Sequence, residues 1–298
     1  MEKISVFARS CTGDTHLKRG LICQDSSLAV DKEKFSFAAV ADGHGSPCYL
    51  RTERGSRFAI RCAYECVSEF LDSLDEAEEI LDDEQQRLQL FTQLWRSIVS
   101  RWHDMTEKDH RDDPFTPEEL DRIPEKFSYY RERYMNGNYI DAYGTTLLFA
   151  VITHDFAFCG QIGDGSCVVI DCDGEISKPV PEDPRCYENV TTSMCQDDAV
   201  LSGRFGYFPA AALPAAVFLG TDGIENSYWS EEQLYGFYEG LALTFAENEL
   251  SEGDRQLKEF LPEMTRKGSG DDVSCAGFFC REALEKIAGK LRDSVSDE

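Results

Sequence analysis

The stretch FAAVADG, at Phe37–Gly43, is an apolar run of strand-like residues that ends in Asp-Gly. Two later stretches repeat this pattern: FCGQIGDG at Phe158–Gly165 and VFLGTDG at Val217–Gly223. Asp-Gly usually marks a hairpin turn, and a hairpin needs a second strand directly after the turn. The residues that follow the first and third stretches do not have a strand pattern. Asp42 and Asp222 are therefore predicted to stand at strand ends for a reason other than a turn.

A fourth stretch has its acids before its apolar run: GSGDDVSCAGFF at Gly268–Phe279. Carboxylates brought from distant parts of a chain to strand ends suit hard cations, which prefer oxygen ligands. Asp164, in the second stretch, has another interpretation, because Ser166–Asp171 could form the second strand of a hairpin. A turn and a metal ligand are compatible at that position, so both interpretations stay open.

The composition limits the partners that we expect. The chain has 298 residues with 56 acidic and 30 basic side chains, which give a formal net charge of −26. Such a charge repels nucleic acids and anionic membrane surfaces, so neither is expected as a partner. Residues 1–10 show no apolar signal core, and the longest apolar stretch, Ala210–Gly220, is short and contains Pro214. The 12 cysteines are interpreted as reduced thiols of a cytoplasmic protein.

Apolar residues three or four positions apart predict two central helices. One helix carries Phe58, Cys62, Cys66 and Phe70, and the other carries Leu88, Phe91, Trp95, Ile98, Trp102 and Met105. Strand-like runs precede and follow them without the strand–helix alternation of parallel sheets, which favours an α+β fold with antiparallel sheets. We predict a single domain over residues 1–298, with a polar helical insertion around 72–138 and a flap-like segment around 179–208.

Six short motifs connect the chain to a known family. They are Gln24-Asp25, Ala41-Asp42-Gly43-His44-Gly45, Gly144-Thr145-Thr146, Gly163-Asp164-Gly165, Thr221-Asp222-Gly223 and Gly270-Asp271-Asp272-Val273-Ser274. Each motif alone is weakly specific, but six of them in order at plausible spacing are highly specific. From about residue 10 to 280 the chain resembles the metal-dependent Ser/Thr protein phosphatases of type 2C, and in particular a bacterial subgroup.

The resemblance implies a β-sandwich of two antiparallel sheets flanked by helices, with two or three Mg²⁺ or Mn²⁺ ions at one end. It also implies hydrolysis of phosphoserine and phosphothreonine in phosphoprotein substrates, and a Ser/Thr kinase as a functional partner. By position, Asp42 would bridge two ions and the Gly43 carbonyl would complete one shell. Asp222 and Asp271 would hold the other ion. Asp164 matches a ligand of a third ion, and His44 matches the histidine proposed as general acid.

Two positions depart from the family pattern. Gln24 stands where many relatives have Glu, which leaves Asp25 to act on a metal ion through water. Relatives carry a phosphate-binding arginine four residues before that Glu, where this chain has Gly20. Arg19 is therefore our candidate for contact with the substrate phosphate. In the last motif, Asp271 aligns with the ligand, and its neighbour Asp272 could hydrogen-bond locally.

Two other classes of function compete with a phosphatase. A catalytically weak phosphatase-like module that binds phosphoproteins or regulators would have the same fold, but the survival of all the proposed ligands argues against it. A calcium-binding structural protein is not supported, because no EF-hand spacing occurs in the sequence. Metal-dependent release of phosphate separates the first alternative from an active enzyme, and Ca²⁺ against Mn²⁺ binding tests the second.

Overall fold

The protein is known from a computed structural model, which describes residues 3–74, 81–187 and 190–296. Within these residues ten strands form two sheets of five, and neighbouring strands pair antiparallel. The strands are β1 (Ile4–Cys11), β2 (Ser26–Asp31), β3 (Ser36–Ala41), β4 (Leu147–Ile152), β5 (Phe156–Ile162), β6 (Ser166–Ile170), β7 (Ile176–Ser177), β8 (Arg204–Pro209), β9 (Ala216–Gly220) and β10 (Val273–Cys280).

The first sheet has the order β1-β10-β9-β6-β7, and the second has the order β2-β3-β4-β5-β8. In the first sheet, Ile4 lies opposite Cys280 and Cys11 lies opposite Val273, so strands from both ends of the described chain are neighbours. The predicted α+β fold with antiparallel sheets is confirmed, as is the sandwich that the family resemblance implies.

The helices pack outside the two sheets. They are α1 (Asp14–Arg19), α2 (Thr52–Ser73), α3 (Glu84–Asp112), α4 (Pro117–Asp121), α5 (Ser128–Met135), α6 (Ala199–Ser202), α7 (Asp222–Glu225), α8 (Glu231–Glu247), α9 (Leu250–Lys267) and α10 (Arg281–Ser296). Within the described ranges, no helix is both long enough and apolar enough to cross a lipid bilayer.

Both faces of β3 are buried, and its residues divide between two apolar cores. Ala38 and Val40 belong to the core that contains residues of both sheets, whereas Phe37 and Ala39 face the helices. This explains why β3 is apolar along its whole length rather than alternating, since a strand that is covered on both faces has no solvent side.

On the outer face of the second sheet, α2 and α3 supply large side chains. Trp95 and Trp102 of α3 are fully buried, and Trp95 stacks 6.2 Å from Phe149 of β4 between ring centroids. On the outer face of the first sheet, Phe7 of β1 lies 4.7 Å from Phe245 of α8. The sandwich is therefore held between two helical layers, which leaves its strand ends to carry the functional loops.

Residues 72–138 contain the helices α3, α4 and α5, and α3 buries two tryptophans against a sheet; residues 75–80 lie outside the described residues. Two details of the sequence prediction differ from the structure. Leu88 does not join the predicted apolar stripe: it is 61% exposed near the start of α3, whose buried residues begin at Phe91. The predicted flap ends earlier than residue 208, because Arg204–Pro209 pairs with β5 as an edge strand.

Candidate metal centre and active site

A cavity of about 700 Å³ lies at the end of the sandwich where β3, β5 and β9 finish and β10 begins. The predicted metal and catalytic positions that line it are Asp42, Gly43, His44, Asp164, Asp222 and Asp271. These residues come from four distant parts of the chain. The antiparallel sheets bring them together because each follows or precedes a strand at the same end.

The loop of Asp42 is fixed by the Gly144-Thr145-Thr146 motif. The Asp42 carbonyl accepts hydrogen bonds from the Thr146 backbone at 2.8 Å and from the Thr145 hydroxyl at 2.8 Å. The Thr146 hydroxyl in turn accepts a hydrogen bond from the Asp42 backbone at 3.0 Å. A side chain at Gly43 would lie 2.6 Å from the Gln24 carbonyl, so only glycine allows this approach.

Asp222 begins the short helix α7, directly after β9. The Asn226 amide, four residues later, donates a hydrogen bond to its carboxylate at 3.0 Å. A Cβ at Gly223 would lie 2.1 Å from the Asp272 carbonyl, which explains the glycine that follows this aspartate. The Asp-Gly pairs at residues 42 and 222 thus mark close packing of loops, and neither is a hairpin turn.

Asp25 lies behind the cavity lining and is 7% exposed. One of its carboxylate oxygens, Oδ2, accepts a hydrogen bond from the Thr221 hydroxyl at 2.7 Å. The other oxygen, Oδ1, is buried and has no hydrogen-bond partner. Burial raises the pKa of Asp25 to about 8, and the nearby charges of Asp272 and Asp222 add to this effect. An unpartnered buried carboxylate oxygen is the kind of group that a cation or its bound water stabilises.

The acids around the cavity oppose one another's ionisation. Burial raises the pKa of Asp42 well above its usual value, and the charges of Asp222 and Asp25 raise it further. Burial also raises the pKa of Asp222 to about 6 and raises that of Asp164. Buried carboxylates that repel one another retain protons unless a positive charge takes their place.

The two adjacent acids before β10 have different surroundings. The Asp271 side chain is 55% exposed and lines the cavity, whereas the Asp272 side chain is 3% exposed. Asp272 accepts hydrogen bonds from the backbone of Gly13 at 2.7 Å and of Gln24 at 2.6 Å, and His16 Nδ1 lies 3.0 Å from it. Burial opposes its ionisation, but these partners outweigh burial and lower its pKa. Asp272 therefore anchors the segment that carries Asp25.

His44 is half-buried at the edge of the cavity. Its Nε2 lies 2.8 Å from the Ser193 hydroxyl, and its ring makes an edge contact with Tyr49 at 4.9 Å between centroids. Burial lowers the pKa of His44 to about 4. The imidazole is therefore neutral near pH 7 in the ion-free protein.

Arg19 does not join the other predicted residues. It is an exposed residue at the end of α1 and is not part of the cavity lining. Among the described residues, the lining contains no lysine or arginine, so no cationic side chain stands ready for a phosphate.

Several lining residues were not predicted from the sequence. Thr191, Ser193, Cys195 and Gln196 come from residues 179–203, which we call the covering segment, and Tyr49, Tyr130 and Asp141 form another part of the wall. The covering segment has no periodic pattern that identifies which of its residues turn inward. Asn226 could have been found, because it lies one helical turn after Asp222.

The donors around the cavity are carboxylate and carbonyl oxygens, which suit Mg²⁺ or Mn²⁺. Within the described parts of the chain, no three His, Cys, Asp or Glu side chains form a group that could already hold an ion. The unpartnered oxygen of Asp25 and the raised pKa values of Asp42 and Asp222 nevertheless indicate that this end of the sandwich lacks positive charge. The residues therefore fit a cation in chemistry, although not as a preformed cage.

Comparisons with known proteins address the fold and the family. No curated protein matches the chain. Among solved structures, a bacterial serine phosphatase matches with a TM-score of 0.53 at 15% identity, over 94% of this chain and 98% of its own. The Ser/Thr phosphatase Stp1 from Staphylococcus aureus matches with a TM-score of 0.52 at 16% identity, over 94% and 95%. The catalytic domain of the Ser/Thr protein phosphatase PstP, solved with two manganese ions, matches with a TM-score of 0.51 at 14% identity, over 93% and 97%.

At these identities the solved structures establish the fold. The family is established by sequence, since the model of the protein phosphatase 2C family matches residues 12–262. This range contains five of the six motifs that prompted the resemblance, and the cavity gathers acids from four of the six. The chain belongs to the protein phosphatase 2C family.

Proposed function

We propose that the protein is a metal-dependent phosphatase that hydrolyses phosphoserine and phosphothreonine in proteins. The observation that carries the proposal is the gathering of Asp42, Asp164, Asp222 and Asp271 around one cavity in a chain of this family. Burial and the charge of Asp222 both oppose the ionisation of Asp42, which supports a role for these acids in binding Mg²⁺ or Mn²⁺ rather than a role in stability.

Asp42, the Gly43 carbonyl, Asp222 and Asp271 would hold two ions, with Asp164 available for a third and Asp25 acting from behind through water. When bound, such ions supply a deprotonated water at neutral pH and offset the charge of the phosphoryl group. Because the ion-free side chains do not form a cage, binding would draw the carboxylates together. Asn226 would hold the Asp222 carboxylate in orientation during this movement.

His44 would donate a proton to the leaving serine or threonine oxygen. Since burial keeps its ring neutral near pH 7 in the ion-free protein, the ring would take up this proton when the phosphate dianion lies beside it. The covering segment would close the cavity on its other side and restrict which peptides enter. Arg19 is exposed at the end of α1 and lies outside the cavity lining, so we give it no role in the chemical step.

Phosphate release from a phosphothreonine peptide tests the function. We expect turnover with added Mn²⁺ or Mg²⁺, none after thorough chelation with EDTA, and recovery when the ion is restored. Turnover that survives chelation would contradict a metal-dependent mechanism. If Mn²⁺ and the peptide both bind without phosphate release, the chain is instead a phosphatase-like module that recognises phosphoproteins.

A further inference from the structure

We propose that Ser193 is a positioning residue for His44, and that it couples the covering segment to the chemistry of the cavity. The proposal rests on the proposed function of His44 as a proton donor, and it adds a residue that no motif in the sequence marks. Ser193 is 2% exposed and lies in the covering segment, 149 residues along the chain from His44.

The Ser193 hydroxyl makes several short polar contacts. It lies 2.8 Å from His44 Nε2, donates to the Thr145 carbonyl at 3.0 Å and accepts from the Thr145 backbone N–H at 3.2 Å. A buried serine hydroxyl needs one or two hydrogen-bond partners. Ser193 has more contacts than it needs to satisfy its hydroxyl group.

The partners of Ser193 belong to the loop that carries Asp42. Thr145 donates from its hydroxyl to the Asp42 carbonyl, its backbone is bridged to Gly43, and the His44 backbone N–H donates to Gly144. Ser193 therefore holds the ring of His44 and the backbone behind it at once. The ring can rotate about its side-chain bonds, and this hydrogen bond fixes one orientation toward the cavity.

The residue before Ser193 attaches the covering segment to a second loop of the cavity. The Thr192 hydroxyl accepts a hydrogen bond from the Gly163 backbone at 3.0 Å, next to Asp164. Thr192 and Ser193 thus bind the two loops that carry Asp164 and His44. Displacement of the covering segment would release the His44 ring at the same time as it opens the cavity.

The test compares two buried serines of the covering segment. Ser193→Ala removes the contact with His44. Ser202→Ala is the matched control, since Ser202 is 1% exposed and, among the described residues, its hydroxyl donates only to the Asp198 carbonyl at 3.0 Å. With Mn²⁺, Ser193→Ala should lose about 10-fold in kcat/KM on a phosphothreonine peptide and little on nitrophenyl phosphate, whose leaving group needs no proton. Ser202→Ala should change neither rate. Equal losses on both substrates would overturn the proposal.

A double-mutant cycle isolates action through His44 from a general loss of structure. In a His44→Gln background, Ser193→Ala should cost no further activity on the peptide, because the group that it positions is already gone. The same 10-fold loss in that background would overturn the proposal. If Ser193→Ala unfolds, Ser193→Cys keeps the volume with a much weaker hydrogen-bonding group and is tested in the same cycle.

A spectroscopic measurement separates failure of this inference from failure of the proposed function. In ¹⁵N-labelled protein, Ser193→Ala should shift the ring nitrogen and ring proton signals of His44, and Ser202→Ala should leave them in place. Unchanged His44 signals in Ser193→Ala would overturn the coupling even in an active enzyme. If the wild-type protein releases no phosphate from either substrate, the phosphatase function fails, while the His44 signals still decide whether Ser193 holds the ring.

Discussion

Single carboxyl groups make the ion-free protein sensitive to pH. Asp25 and Asp222 have pKa values of about 8 and about 6 in the folded protein, against about 3.9 for an unfolded aspartate. Between about pH 4 and pH 8 the folded protein therefore holds protons that the unfolded chain has released. The free energy of unfolding should fall as pH rises through this range and level off above it.

Asp25→Asn should weaken this dependence, because asparagine cannot ionise but can still accept the hydrogen bond from Thr221. Urea unfolding in EDTA at pH 5 and pH 8 measures it. Asp25→Asn should lose less stability between pH 5 and pH 8 than the wild type does. Addition of Mn²⁺ at pH 8 should restore the stability of the wild type. Asp155→Asn, an exposed turn residue, is the control. An equal loss of stability between the two pH values in the wild type and in Asp25→Asn would contradict the raised pKa of Asp25.

His44→Gln tests the proposed proton donor through the leaving group. An aliphatic alkoxide needs a proton as its bond to phosphorus breaks, whereas nitrophenolate leaves without help. We expect the variant to lose about 10²- to 10⁴-fold on phosphopeptides, as is typical for loss of general acid catalysis, and far less on nitrophenyl phosphate. Similar losses on both substrates would assign His44 to the organisation of the Asp42 loop.

At the scale of helices and strands, the sequence predicted those elements whose pattern is local. The stripe of α3 from Phe91 to Met105 was visible because one face packs on a sheet. The helix α9 was not predicted, since Pro262 interrupts its sequence although the structure accommodates it. The residues of the covering segment that face the cavity could not be predicted. Their orientation depends on hydrogen bonds to distant loops and follows no helical or strand periodicity.

Substitution by alanine should have opposite effects on stability at two helical glycines. A Cβ at Gly55 of α2 would lie 1.8 Å from the Tyr143 carbonyl, whereas one at Gly240 of α8 would meet nothing within 4 Å. Gly55→Ala should therefore destabilise the protein by about 1–3 kcal/mol or more through overpacking. Gly240→Ala should stabilise it by about 0.5–1 kcal/mol, because alanine favours the helix. Thermal unfolding measures both, and a stable Gly55→Ala would show that α2 can move away from residue 143.

For the whole molecule, charge should select among substrates. The net charge is −26, and the cavity is lined by five aspartates without a lysine or arginine among its described residues. The strand-end aspartates could be predicted from the Asp-Gly pairs. The lack of a cationic side chain in the described lining could not be predicted, because Arg19 lies near Asp25 in the sequence but outside the cavity lining.

Phosphopeptides with arginine beside the phosphorylated residue should therefore react faster than those with glutamate at the same position. We expect a difference of about 10-fold in kcat/KM at low salt, which shrinks as added NaCl screens the charges. Initial rates at several NaCl concentrations measure it. Equal rates for the two peptides at low salt would show that the bound ions, and not the protein, set the field at the cavity.

The pairing of β1 with β10 has a consequence for biosynthesis. Ile4 leaves the ribosome about 276 residues before its partner Cys280, so the first sheet cannot close until nearly all of the described chain has been made. Asp271 also emerges late, long after Asp42. Contacts between such distant segments slow folding, since the chain must close a large loop before they form. Nascent chains should therefore stay without a complete cavity, and phosphate release should begin only after synthesis of β10.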